Sequence, residues 1–512
     1  MQRSRRWWPV AGAVVGLLGL ALSYLGASLL RIRASPPVAV ADWITALTPG
    51  SLAEWAIQNF GTNDKKLLIV GMLVVLALVF ARLGAAARRR WWVAALGFTA
   101  IGAVGLVAVL REHGASVVDV LPVAIGALTW ALGFSVAALW LRRWEVVEAD
   151  TAPGEPEPSH TRRAFFVGIS GMTAAVALAG VLGRIAGGAR RKVEESRRLL
   201  RLEGVSQPRV PDGARLDVAG ISAWMTPADD FYLIDTAYIK PAIEPQQWRL
   251  RIHGMVEKEI TLTYDQLVSR KLTEDWMTLN CVSNEVGGDL IGNAWWSGVK
   301  LSGLLAQAKP HAGADAVLQT SDDGWTCGTP LAALTDQRNA LLAVAMNGEA
   351  LPIEHGFPVR TIVPGLYGYV SACKWVVDLE VTTFDRISGY WIDKGWSEMG
   401  PVKIASRIDV PHDGAKVPAG SVAVGGVAWH QETGISAVEV SVDGGAWTGA
   451  SLGTVPSLDT WVQWRLATDL SPGKHELRVR AVDRGGEVQT GVVTAVAPNG
   501  ATGWHTIEVT AK

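Results

Sequence analysis

Apolar residues along this chain follow one pattern before residue 190 and another after it. In the first part, apolar runs of about 18 to 22 residues, the length that crosses a bilayer as helix, recur at 9–30, 67–84, 92–110, 120–141 and 165–187. Beyond them the runs shorten and become periodic. WRLRIHG and KEITLTY are apolar at alternate positions, which predicts half-buried strands, whereas YDQLVSR and LSGLLAQA have helical spacing. From Pro401 onward the helical signals stop. Val438, Val440 and Val442 alternate into the turn Asp443-Gly444-Gly445, and HELRVRAVDRGG repeats the form.

The pattern predicts a multi-domain chain: transmembrane helices over 1–188, a linker at 189–215, an α+β domain at 216–385 and a β-sandwich at 386–512. The linker joins a charged helical stretch, RRKVEESRRLLRLEG, to the Pro/Gly-punctuated SQPRVPDG. The sandwich is close to immunoglobulin size but lacks the paired cysteines of antibody domains.

Charge orients the membrane part. With the N-terminus in the cytoplasm, Arg3, Arg5, Arg6, Arg88, Arg89, Arg90, Arg142, Arg143, Arg162 and Arg163 all fall inside, as positive charge prefers. Arg31, Arg33, Lys65, Lys66 and the cluster Arg190, Arg191, Lys192 fall outside. Five spans then place everything after residue 188 outside the cytoplasm, so the expectation is a multi-pass cell-membrane protein with extracytoplasmic catalytic domains. Arg162 and Arg163 open RRAFF before a Gly/Ala-rich span, which resembles a twin-arginine export signal; the alternative is an ordinary positive-inside anchor. None of the nine histidines lies in a predicted span, which argues against a transmembrane haem. A net charge of -1 gives no reason to expect nucleic-acid binding. Three widely spaced cysteines, without CxxC or CxxCH, exclude zinc-ribbon and c-type haem motifs and make a disulfide framework a poor reading.

Two segments carry the chemistry: TLNCVSNE, with Cys281, and HGFPVRTIVPGLYGYVSACKW, from residue 355 to 375. A thiolate can be the single protein ligand of a metal whose other sulfurs come from a cofactor. Arg360 and Lys374 beside a glycine-containing turn offer charge and close backbone approach to an anionic phosphate.

These segments, and the order of α+β domain then β-sandwich, resemble the sulfite oxidase family of molybdopterin-dependent oxidoreductases over residues 225–512. The resemblance implies one Mo-molybdopterin per chain, with Cys281 as metal ligand and His355, Arg360, Ser371 and Lys374 at the pterin phosphate. It also implies that Asp229, Tyr232 and Leu233 lie on a first pterin strand, DDFYLIDT, and that Thr320 contacts the cofactor. Tyr390 in SGYW matches the family's active-site tyrosine, although a packing role is as good a reading. A small-molecule substrate, a separate electron carrier (a cytochrome or membrane redox protein) and a homodimer through the C-terminal domain complete the implied partners.

Departures from the family bear on substrate. Where sulfite oxidases place cations facing their oxyanion, this chain has Ile234, Thr236 and Glu285. At about 6 Å and an effective dielectric near 20, each unit of charge removed or reversed costs roughly 3 kcal/mol. Two-electron oxygen-atom transfer to or from a substrate other than sulfite is therefore expected. The rivals are a sulfite dehydrogenase feeding a cytochrome, and a non-catalytic surface binding protein.

Overall fold

The computed structural model describes residues 3–60, 63–151, 159–186 and 189–512. They form two compact units, Met1–Lys192 with Ala237–Lys240, and Val193–Thr236 with Pro241–Lys512.

Among the described residues of the first unit, five helices are long and apolar enough to cross a membrane. They include α1 (Trp7–Leu29), α4 (Asp64–Ala87), α5 (Trp91–Arg111), α6 (Leu121–Asp150) and α7 (Ser159–Ala186), with the shorter α2 (Pro36–Leu47) and α3 (Gly50–Phe60) after α1. Helix α1 packs centrally, and small residues let it do so. A side chain on Gly12 would lie 2.3 Å from the Phe80 carbonyl oxygen, and one on Gly84 would lie 2.3 Å from that of Trp8, so α1 and α4 meet backbone to backbone. At one end the Glu145 carboxylate accepts from Arg88 Nε at 2.6 Å and from Trp8 Nε1 at 3.0 Å. Several helices overrun the predicted apolar cores, because a helix end is set by its backbone bonds and not by bilayer thickness; His160 thus sits in the first turn of α7.

A charged helix, α8 (Ala189–Leu199), runs across the boundary and opens the second unit from Val193 onward. Two sheets follow. The first has the order β2 (Ile260–Thr263), β1 (Arg249–Gly254), β10 (Val376–Thr382), β5 (Ala316–Ser321), β6 (Thr326–Pro330). The second runs β3 (Thr273–Asn280), β4 (Ile291–Lys300), β7 (Leu341–Met346), β8 (Glu349–Ala350), with β9 (Arg360–Ile362) also paired to β7. Strand β7, LLAVAM, is buried along its whole length, as its unbroken apolar run requires. The segments WRLRIHG and KEITLTY form β1 and β2, and YDQLVSR and LSGLLAQA hold the short helices Tyr264–Val268 and Leu301–Ala308. DDFYLIDT is not a strand. It is irregular backbone after a turn in which the Asp230 N–H donates to Pro227 O, and its residues join neither sheet.

The last part of the chain contributes two more sheets, β11 (Ala405–Val410), β13 (Gly420–Trp429), β17 (Val462–Leu470), β16 (Ser451–Leu452), and β12 (Lys416–Val417), β19 (His505–Ala511), β18 (Gly473–Asp483), β14 (Ile435–Val442), β15 (Thr448–Gly449). Val424, Trp464, Val438, Val479 and Val509, drawn from both sheets, share one core. After β14, Asp443 and Gly444 take φ of 51° and 69°, the paired positive angles of a tight hairpin turn.

Candidate active site

Strands β3 and β4 pair without a break from Thr273 opposite Gly298 to Asn280 opposite Ile291. Cys281 is therefore the first residue off the strand end. Its loop closes on itself: Cys281 N–H donates to Leu290 O at 3.0 Å, and the Asn284 side-chain oxygen accepts from Leu290 N–H at 2.9 Å. The thiol is buried. Burial pushes it up, while the Ser283 backbone and hydroxyl, the Lys374 ammonium and the Val282 N–H act in the opposite sense.

The second segment folds back on itself beside it. Val376 N–H donates to Val359 O and Thr361 N–H to Cys373 O, which brings Arg360 and Lys374 to the same turn. Gly356, at φ 108°, makes this possible, since a Cβ there would lie 3.0 Å from Arg360 Cβ and 3.2 Å from Lys374 Cα. Arg360 is 2% exposed. Its Nη1 donates to His355 O at 3.1 Å, its plane lies 5.4 Å from the Trp296 ring, and among the described residues it has no carboxylate partner. Burial brings it down to about 10. Lys374 pairs with Asp235 at 3.1 Å, both side chains being 10% exposed.

His355 Nε2 bonds Ala228 O at 2.9 Å, which fixes the segment carrying Asp229, Tyr232 and Leu233. Phe231 stands edge-on to His355 and stacks on Tyr232. Tyr232 is raised well above the ordinary phenol by burial, and further by the Cys281 charge. Asp229 and Leu233 face solvent. Ser371 is fully buried and spends its hydroxyl proton on Leu366 O and Tyr367 O. Thr320 lies on β5 beside Gln319, whose oxygen accepts from Thr361 Oγ1; alternation along the strand turns Thr320 to the opposite face. Tyr390 stands edge-on to Trp391 with Lys394 4.9 Å from its ring, and its N–H donates to Thr326 O.

The structure thus gathers Tyr232, Cys281, His355, Arg360 and Lys374, and adds three residues not singled out in the sequence. Asp235 was legible as the acidic residue of an otherwise apolar stretch. Asn280, next to Cys281, carries a buried Oδ1 with no partner, and Tyr367 feels the Cys281 charge. Asn280 and Tyr367 had no signal beyond adjacency to a motif.

These residues fit an anionic metal-bearing cofactor. Among the described residues Arg360 is a buried cation lacking an anion, while His355 Nδ1, bare because Nε2–H donates to Ala228 O, and Asn280 Oδ1 are buried acceptors lacking a donor; unpaired buried groups of this kind are costly. Among the described residues no three His, Cys, Asp or Glu side chains could hold a metal by themselves.

His355 is held down to about 4, chiefly by burial and then by Lys374 and Arg360. The unfolded chain therefore binds more protons than the folded one between about pH 6.5 and 4, and stability falls as pH falls through that window. In the cofactor-free protein, His355→Gln should remove that slope. The wild-type-minus-variant unfolding free energy should be flat above pH 6.5 and decline by about 3 kcal/mol toward pH 4, as read by denaturant titration.

Comparison with known proteins gives the site its class. A family model described as "Oxidoreductase molybdopterin binding domain" matches residues 237–391. Human mitochondrial sulfite oxidase is 29% identical over 306 residues, covering 50% of this chain and 56% of that protein. The chain thus spans about half the length of the curated sulfite oxidases it matches first. The uncharacterized oxidoreductase YuiH of Bacillus subtilis (strain 168) is 30% identical over 154 residues, covering 30% of this chain and 74% of that protein. Among solved structures, the sulfane dehydrogenase SoxCD from Paracoccus pantotrophus aligns with TM-score 0.49 and 24% identity, covering 59% of this chain and 87% of that one. The chain belongs to the sulfite oxidase family of molybdopterin-dependent oxidoreductases.

Proposed function

We propose that this protein is a membrane-anchored enzyme that binds one molybdopterin per chain, takes Cys281 as the protein's ligand to molybdenum, and exchanges an oxygen atom with a neutral or weakly charged substrate. The observation that carries the reading is the buried Arg360 without a carboxylate, set in one cluster with Cys281 and Lys374.

When bound, the cofactor would supply the two-electron chemistry. Arg360 and Lys374 would hold its phosphate, Arg360 by a fork and Lys374 by a charge that Asp235 already orients. Metal charge would hold Cys281 as thiolate despite its burial. His355 stays neutral near pH 7, with Nε2 engaged by Ala228 and Nδ1 open to the cofactor. Phe231 and Trp296 exclude water. Ser371 would accept rather than donate, its proton being committed. Asp229 and Leu233 would contribute through backbone atoms, Thr320 through its strand, and Tyr390 by packing. An external electron carrier would complete each cycle.

Glu285 is exposed and forms no ion pair among the described residues, and Ile234 is 39% exposed, so neither offers a cation to an oxyanion. Sulfite oxidation with an artificial acceptor is expected below the usual enzymatic range, about 10⁴ M⁻¹s⁻¹ in kcat/KM, with sulfoxide reduction by a reduced dye above it. The opposite ranking would remove the substrate assignment.

Five long apolar helices support the membrane anchor, with residues beyond 188 outside the cytoplasm. Arg162 and Arg163 are exposed at the start of α7, as a receptor-read pair must be. Replacing both with lysine keeps the charge, so export of residues 190–512 should fail only if the pair itself is read. Protease accessibility on intact cells checks this, and normal surface levels would make the segment a simple anchor. The C-terminal sheets read as an immunoglobulin-like sandwich that pairs two copies; a monomer by sedimentation in detergent would remove the pairing.

A further inference from the structure

Tyr367 lies where the catalytic turn meets the C-terminal part of the chain. Its backbone is fixed from both sides. The N–H donates to Gly400 O at 2.8 Å, Leu366 bridges Pro401, and the Tyr367 carbonyl accepts from Ser371 Oγ at 2.9 Å. The next residue reaches the metal-ligand strand: a Cβ on Gly368 would lie 3.8 Å from both Asn280 O and Tyr232 Oη. Tyr367 therefore stands one residue from the backbone that leads into Cys281.

Its hydroxyl is held by residues from beyond 400. Oη accepts from Lys403 N–H over a long 3.4 Å. A Cβ on Gly500 would lie 2.5 Å from it, and Gly500 has φ 94°, so only glycine lets that loop pass. The loop is secured by Lys403 Nζ, which donates to Asn499 Oδ1 at 2.9 Å and Gly500 O at 2.8 Å, and by Ser397 N–H, which donates to Pro498 O. Among the described residues the hydroxyl proton of Tyr367 meets no acceptor. Burial holds that proton on the oxygen, raising the phenol to about 12, so the group is a donor throughout the working pH range.

We propose that Tyr367 donates its hydroxyl hydrogen bond to the oxygen of the bound substrate, and that Lys403, Asn499 and Gly500 position it. The inference rests on the oxidoreductase reading above and deepens it: the substrate presents a neutral oxygen acceptor, as an S- or N-oxide does. It also gives the C-terminal module a part in the reaction, since Lys403 and Gly500 lie against the Tyr367 hydroxyl.

Dimethyl sulfoxide, titrated calorimetrically into the oxidised full-length protein in detergent, tests this, with molybdenum measured on each sample. Tyr367→Phe removes only the hydroxyl. Its affinity should fall about tenfold, as loss of one neutral hydrogen bond gives, at unchanged molybdenum content. Lys403→Met should weaken binding by about threefold, and Lys403→Arg, which can still reach both carbonyl oxygens, should restore it; a purely structural loss would not be rescued in this way. Full molybdenum with no binding by the wild type, or with equal binding by Tyr367→Phe, would overturn the proposal alone. Loss of molybdenum in Tyr367→Phe would make it a cofactor contact instead. Wild-type protein without molybdenum would overturn the oxidoreductase reading, and this proposal with it.

Discussion

Cys281→Ser should yield a folded protein that retains pterin but has lost turnover by on the order of 10³-fold or more, since loss of a partner one shell further out already costs about 10- to 100-fold. The substitution is nearly isosteric. It leaves the loop bonds of Cys281 N–H to Leu290 O and Asn284 to Leu290 intact, and it does not touch Arg360 or Lys374. Cys327→Ser is the control. That thiol is also buried, so the change costs stability, but it lies on β6 opposite Gln319 and activity should survive. Steady-state rates, molybdenum content and pterin fluorescence after denaturation separate the outcomes. An active Cys281→Ser enzyme would mean that another group ligates the metal.

Arg360→Met should move two quantities in opposite directions. In the cofactor-free protein the guanidinium is buried among carbonyl oxygens and the Trp296 ring, with no carboxylate among the described residues to offset its desolvation. Burial brings its protonation equilibrium down to about 10, so the charged form carries an uncompensated desolvation cost. Exchange of such a group for an apolar side chain of similar length is often neutral or stabilising. Apo stability should therefore hold or rise by about 1 to 3 kcal/mol, while pterin retained through purification falls below about a tenth of wild type, the tenfold that one charge-assisted hydrogen bond is worth. Denaturant unfolding and cofactor analysis on the same preparation check both. A variant that keeps its pterin would place the phosphate elsewhere.

Much of the architecture was legible because it rests on local periodicity. The five apolar runs needed only length, and β1, β2, β14 and β18 needed only alternation. The resemblance implies a strand at DDFYLIDT, but its backbone follows a turn instead, and Phe231 and Asp235 turn their side chains to His355 and Lys374. Of the site, Cys281, His355, Arg360 and Lys374 stood out through motif company. Tyr367 did not, because what distinguishes it is a set of partners far away in the chain, Gly400, Lys403 and Gly500; Asp235 showed only as an acid closing an apolar run, and its pairing with Lys374 is a long-range contact.

The crossing of residues 396–403 over the turn at Leu366 and Tyr367 limits how such a chain could trade parts. A recombination point at residue 385, where composition suggests a clean boundary, would join a catalytic segment from one parent to Gly400, Lys403 and Gly500 from another. The hybrid would divide between two parents a core to which Trp276 and Tyr367 contribute from one side and Trp429 and Trp461 from the other, and would mismatch Tyr367 with the loop it leans on. Viable exchanges would need the Leu366–Tyr367 turn and the C-terminal module to come from the same parent, so the two are expected to be inherited as one block.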